Sequence, residues 1–360
     1  MKFLKKIGIV LMASVLFTAC AADKEDKTSV DIDKELEKEV PIIAVSIVPE
    51  ANFVSEVAGD LVDVVTMIPP GNSPANYQPT PKQMEKFSEA KIYFTIGVGA
   101  EAAIEPKAKE LNKDMKLIAL DDVVEAVYPA RYFSEADAHE HETEIHDEHE
   151  HDEHETEMHD EHEHDEHETE VHDEHEHDEH QAEVHEEHGD ENDHSHDVGA
   201  KDPHIWMSPK RVQVMVERIK DELISLDPDH KTAYETNASA YLEELKVLDE
   251  AILKKTENLT NRSFIVYHPA LGYFADDYDF NMVTIESDGK KATVDQLAYV
   301  IDFAKENDIK AILYQNEFDP TQAQTVANEI GGKAIQIDPL AYEYVDQMTM
   351  LAKLVEEILK

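Results

Sequence analysis

The chain has 360 residues, room for two domains at about 100–200 residues each, and a formal charge of −49 from 81 Asp and Glu against 32 Lys and Arg. The run from His139 to Asp197 holds 29 of those acids and no Lys or Arg, which leaves −20 on the rest of the chain. A moderately acidic body excludes a nucleic-acid surface, which needs a basic patch, and a single cysteine, Cys20, excludes an internal disulfide.

Residues 1–20 read as a secretion signal. Lys2, Lys5 and Lys6 precede the apolar run from Ile7 to Phe17, which is too short to span a bilayer and closes on the small residues Thr18 and Ala19. The stretch "LFTAC" resembles the lipobox of bacterial lipoproteins. That resemblance implies that Cys20 is lipidated and becomes the first mature residue, held by at least two acyl chains. Residues 21–40 are charged, lack a core pattern and form a tether.

From Pro41 strand patterns alternate with helix patterns. In 41–131, "IIAVSIV", "LVDVVTMI", "KIYFTIG" and "MKLIAL" are strands separated by helices and by the breaker-rich loop "GNSPANYQPTP". After an insertion at 132–200, residues 201–227 end the N-terminal lobe with a helix at about 210–225. A linking helix follows over 228–258, where Tyr234, Ala238, Tyr241, Leu245, Leu248 and Ile252 step by four and three along one face. Residues 259–360 resume the alternation with strands "SFIVY", "NMVTI", "KAILYQ" and "KAIQI". One intervening helix is expected to bury Val294, Leu297, Ala298, Ile301 and Ala304. The predicted fold is α/β, with two parallel-sheet lobes joined by a long rigid helix and a crevice between them.

The insertion repeats "HDEHEHDEHETEV" with a period of 13, far below that of a solenoid unit. It has too few apolar residues to fold alone. Each repeat offers four imidazoles amid carboxylates: His146, His149, His151 and His154; then His159, His162, His164 and His167; then His172, His175, His177 and His180. Such interchangeable chelating sets are expected to gather divalent cations, and to release them below about pH 6 as the imidazoles charge.

Outside the insertion three histidines remain, His204, His230 and His268. His230 reads as a surface residue at a helix start. His268 directly follows a strand, in "VYHPALGYF", and Asp338 follows the last strand, in "QIDPLAYEY". Ligands bind at the carboxyl ends of parallel strands, so both side chains are expected in one crevice. His204, in "DPHIWMSP", lies between prolines in a loop entering a helix. Two imidazoles and a carboxylate suit a borderline ion such as zinc.

These four stretches, "GNSPANYQPTP", "DPHIWMSP", "VYHPALGYF" and "QIDPLAYEY", resemble the metal-binding solute receptors of bacterial ABC transporters, in particular the zinc-type lipoproteins, from about Pro41 to Lys360. The resemblance implies an extracytoplasmic receptor, lipid-anchored to the bacterial cell membrane at Cys20 and monomeric. Such a receptor captures Zn(II) at His204, His268 and Asp338 and delivers it to an ABC permease. Manganese relatives tend to carry Glu at the position of His268, so His268 favours zinc. One departure concerns the family loop, which usually reads S-P-H-x-Y-E-P; here Ala75 stands at its histidine. Water, an amide oxygen of Asn76 or Gln78, or a histidine of the insertion are the possible fourth donors, and water is favoured.

Two other readings fit part of the pattern. Two histidines, an aspartate and a water also describe a zinc hydrolase, but the chain has no HExxH and no G-x-S-x-G. Glu50 and Glu317 are conceivable bases, read more simply as supporting or surface groups, and the expectation is no enzyme. A receptor for manganese or another divalent metal, with a secondary adhesin role, is the remaining alternative.

Overall fold

A computed structural model describes residues 40–133, 199–286 and 291–360. The signal, Cys20 and the histidines from His139 to His196 lie outside the described residues. Strands β1 (Ile42–Val45), β2 (Asp63–Thr66), β3 (Ile92–Thr95) and β4 (Lys116–Ala119) form a parallel sheet in the order β2-β1-β3-β4. Its central strands are nearly continuous apolar runs, as strands covered on both faces must be, and Ile43, Ala44, Val45, Tyr93 and Phe94 are completely buried. Around it lie α1 (Val48–Ala58), α2 (Pro81–Phe87), α3 (Glu101–Leu111) and α4 (Leu120–Glu125). The sequence reading had no counterpart for α4, because six residues are too few to show a helical period.

The insertion leaves and returns at one place. Tyr132 and Lys201 form an antiparallel bridge, flanked by Phe133 N–H to Ala200 O (2.9 Å) and Gly199 N–H to Phe133 O (2.8 Å). Helix α5 (Pro209–Leu226) follows, capped by the Ser208 hydroxyl, which accepts from the Arg211 amide. A 3-10 turn at Pro228–His230 then leads into α6 (Lys231–Thr256). With 26 residues, α6 extends about 39 Å and packs on α5 and α1. It also packs on the C-terminal helix α10 (Tyr344–Ile358) of the other lobe. All six residues of its predicted stripe, Tyr234 to Ile252, are buried.

The second sheet repeats the first. Strands β5 (Ser263–Val266), β6 (Asn281–Thr284), β7 (Ala311–Gln315) and β8 (Lys333–Ile337) are parallel in the order β6-β5-β7-β8. They alternate with α7 (Gly272–Asp277), α8 (Val294–Glu306) and α9 (Thr321–Glu329), and α10 closes the chain. In α8 the buried stripe is Gln296, Val300 and Ala304, whereas Val294 is 81% exposed and Ala298 faces solvent. Ala304 is buried and Leu297 and Ile301 pack partly buried on the core as expected, so the face is shifted rather than lost: Gln296 counts as polar in the pattern, yet its amide lies inside and donates to Thr284 O (3.2 Å).

Val40–Lys360 is one compact unit. A continuous core runs from the first sheet past Val212, Tyr241 and Leu248 to Phe264, Tyr273, Leu313 and Tyr344 of the second lobe. A smaller core covers the other face of the second sheet, around Ile265, Val283, Val300, Ile312 and Val326. The lobes therefore share hydrophobic surface rather than meeting through a polar seam.

Candidate metal centre

Register positions the first histidine. Val266 stands opposite Thr284 on β6 and Leu313 on β7, so two residues further on His268 lies abreast of Glu286 and Gln315. His268 Nδ1 meets Glu286 Oε2 at 2.9 Å, the His268 amide donates to Gln315 Oε1 (3.3 Å), and Gln315 Nε2 donates to His268 O (2.7 Å). Phe318 stacks on the imidazole, with centroids 4.5 Å apart and planes at 25°. His268 is 7% and Glu286 4% exposed.

His204 is held by its own loop. Asp202 Oδ1 lies 2.7 Å from His204 Nδ1 and accepts from the His204 amide at 2.9 Å. The other oxygen of Asp202 takes Arg131 Nη1 at 3.0 Å. Tyr273 Oη ties the same group together, donating to Asp202 O (3.1 Å) and accepting from the Arg131 amide (2.9 Å). Gly272 is required there, since a Cβ would lie 2.6 Å from both the Arg131 guanidinium and Asp202 Oδ2. Burial lowers the pKa of His204 below the ordinary histidine value against the pull of Asp202. Burial opposes the charge of Asp202 too, but His204 and Arg131 outweigh it and hold its carboxyl below the usual range.

The two rings meet across the cleft, His204 Nε2 to His268 Nε2, at 3.3 Å. Each Nδ1 faces a carboxylate, which fixes the Nδ1–H tautomer and aims both Nε2 lone pairs at one point. Two facing lone pairs repel unless a cation lies between them. With zinc–nitrogen bonds of about 2.0–2.1 Å in a tetrahedron, the nitrogens stand about 3.3–3.4 Å apart, so the donor pair fits such an ion.

The other predicted residues are placed differently. Asp338 follows β8 in the second lobe, half-buried, and its Oδ1 accepts from the Leu340 amide at 3.2 Å. Among the described residues no group of three His, Cys, Asp or Glu side chains is drawn close enough to hold an ion. Asp338 is near enough to add to the rise of the Glu317 pKa, which burial chiefly causes and His268 offsets. Ala75 lines the cleft with Ser73 and Pro74, while Asn76 and Gln78 are exposed and outside its lining. The loop sits tightly on the first sheet: a Cβ on Gly99 would lie 2.4 Å from Ala75 O. His230 lies in the 3-10 turn before α6 and pairs with Asp227 three residues earlier, Nδ1 to Oδ2 2.5 Å.

Two buried carboxyls lie under the first lobe's side of the cleft. Glu101 accepts from the Ile96 and Gly97 amides, both at 2.8 Å, and burial raises its pKa to about 7. Glu50 accepts from the Ser46 and Ile47 amides (3.0 and 2.9 Å), and burial, with Glu101 nearby, pushes it well above the ordinary value. Both amide-bound carboxyls follow strand ends, so Glu50 serves the backbone rather than standing free as a base.

Asp202 and Glu286 escaped the sequence reading. Asp202 carried a signal, its position two residues before His204; Glu286 became relevant only through the β5–β6 register. Asp202→Asn is expected to lower metal affinity about 10–100-fold, because an amide holds the imidazole tautomer less firmly. Isothermal titration with Zn(II) measures it, and an unchanged affinity would remove Asp202 from the site.

Two parallel α/β lobes with nitrogen donors facing each other between them define a two-lobed binding-protein fold with a candidate metal centre in its cleft. The sequence matches the family of zinc-uptake complex component A, periplasmic (ZnuA), over residues 43–359, and the chain belongs to that family. It is 26% identical over 343 residues to the zinc-binding lipoprotein AdcA of Streptococcus pneumoniae serotype 4, covering 94% of this chain and 56% of the relative. It is 33% identical over 143 residues to the high-affinity zinc uptake system protein ZnuA of Bacillus subtilis, covering 39% of this chain and 45% of that protein. The chain thus spans about half the length of these relatives. A crystal structure of ZnuA superposes with a TM-score of 0.68 at 28% identity, covering 89% of this chain and 100% of that one.

Proposed function

We propose that this chain is an extracytoplasmic receptor that captures Zn(II) in the interlobe cleft and hands it to an ABC permease. The observation that carries the reading is the facing Nε2 pair of His204 and His268, 3.3 Å apart with both Nδ1 atoms fixed by carboxylates. The family, and the zinc named in its relatives, support the same cargo. Asp338 supplies the third donor. Gln315 stands opposite Ile337, so Asp338 lies two strand spacings from His268, about 10 Å at the backbone, and the ion draws its side chain inward. Water completes the shell where Ala75 offers only a methyl group.

The boundaries at 1–20, 21–40, 41–131, 132–200, 201–227, 228–258 and 259–360 describe how this receptor is organised. A lipid at Cys20 anchors it, the tether lifts it from the membrane, and it acts as a monomer. The histidine-rich run concentrates zinc beside the cleft, since the two ends of the insertion, Phe133 and Ala200, belong to the cleft wall. The role is binding, without catalysis: of the two conceivable bases, Glu50 is bound to the Ser46 and Ile47 amides, and an ester assay checks Glu317 in the cleft wall. Titration of the chain from residue 21 with Zn(II) and Mn(II), with hydrolysis of a model ester followed in the same samples, tests this. One tight zinc site, weaker manganese and no turnover are expected; ester cleavage lost in His204→Ala would make the protein a hydrolase instead.

A further inference from the structure

The cleft is much larger than its ion. Its volume is about 510 Å³, whereas a zinc ion with two waters needs on the order of 60–100 Å³ at about 30 Å³ per water. A space of several hundred Å³ is what small organic ligands occupy. The described protein donors directed at one point are the two imidazole nitrogens, and zinc takes four or five donors.

The wall beyond those nitrogens has a definite chemistry. Pro74 and Ala75 face it from the first lobe, and α3 presents Ala102, Pro106 and Lys109, spaced by four and three along one helical face. Lys201, also in the wall, is spoken for by Asp121 (3.1 Å) and Glu125 (2.8 Å). Lys109 is exposed and has no carboxylate partner among the described residues. A largely apolar shelf thus runs from the donor pair to Lys109, the cation of the described wall without an ion-pair partner, while Glu105 and Glu317 line the same cleft and Glu101 is bound to the Ile96 and Gly97 amides.

The geometry points to capture of zinc as a ternary complex with a small amino-acid chelator, the ligand lying on the Ala75–Ala102–Pro106 shelf. Two nitrogen donors of the chelator take the place of water and, with His204, His268 and Asp338, bring the ion's shell to five donors, and its carboxylate pairs with Lys109. L-Histidine has this form: imidazole and amine close a ring on the metal and leave the carboxylate free. This inference rests on the cleft being a zinc site, as proposed above.

Equilibrium dialysis of the full chain with labelled L-histidine, with and without Zn(II), tests it. One L-histidine retained per chain, only when zinc is present, is the expected result. Lys109→Ala should weaken that retention about tenfold, the scale of one charge-assisted hydrogen bond, and leave zinc affinity without L-histidine unchanged. Ala75→His, which places an imidazole on the shelf, should abolish retention and tighten binding of zinc alone. Zinc bound in the cleft with no L-histidine retained would overturn the inference and leave the receptor standing. So would retention that survives joint replacement of His204 and His268 by Ala, which would put the amino acid on the histidine-rich run. Zinc affinity indifferent to that double replacement would instead overturn the receptor reading itself.

Discussion

Replacing His204 or His268 by Ala is expected to remove the tight zinc site, lowering its affinity by more than a hundredfold in a competition titration against a chromogenic chelator. Loss of an outer partner of a ligating imidazole already costs about 10–100-fold, and loss of the ligand itself costs more. The effect is steep because the donors act as a pair. Each Nε2 is aimed by a buried carboxylate, and removing one ring leaves the other pointing at a methyl group. It also strips Asp202 or Glu286 of a hydrogen-bond partner at a position where both are buried, which adds a folding cost. The 18 histidines between His139 and His196 are expected to bind zinc weakly in either variant, so the tight phase is the readout. If the tight phase persists in both variants, the high-affinity site lies elsewhere and the receptor mechanism fails.

Trp206→Ala should cost about 3–5 kcal/mol of stability, the range for truncating a buried aromatic. Trp206 is 1% exposed and lies at the junction of the lobes. Its indole donates to Pro339 O at 2.9 Å, its carbonyl accepts from Tyr344 Oη at 2.8 Å, and its ring sits 5.2 Å from that of His204. Alanine would leave a cavity and an unpaired Pro339 carbonyl beside Asp338, so zinc affinity should fall with stability. Urea unfolding followed by circular dichroism measures the loss, and Trp206→Phe should recover most of the packing but not the hydrogen bond. A loss below about 1 kcal/mol would mean that the lobes do not depend on this contact. Because Trp206 is the sole tryptophan, wild-type fluorescence reports directly on the cleft and should change when zinc binds.

Junction contacts of this kind set how far the cleft can open. Ser208 and Arg211 at the start of α5 bond Asp277 of α7, at 2.5 and 3.0 Å, and Arg131 reaches Asp202 beside Gly272. With α6 packed on helices of both lobes, a swing of whole domains would have to break these contacts, so opening is expected to be small and local.

The amino-acid sequence by itself determined the repeating strand–helix order, the buried stripe of α6 and the two histidines that come face to face, because apolar period and proline-flanked strand ends are local features. It extended the buried face of α8 to the exposed Val294 and Ala298 and missed the buried Gln296, which satisfies a carbonyl, and it could not reveal Glu286, whose nearness to His268 exists only once β5 and β6 are in register. The placing of Asp338 and the breadth of the cleft beside Ala75 likewise follow from tertiary structure. Distances between side chains far apart in sequence follow from how sheets and helices stack, and no local pattern encodes them.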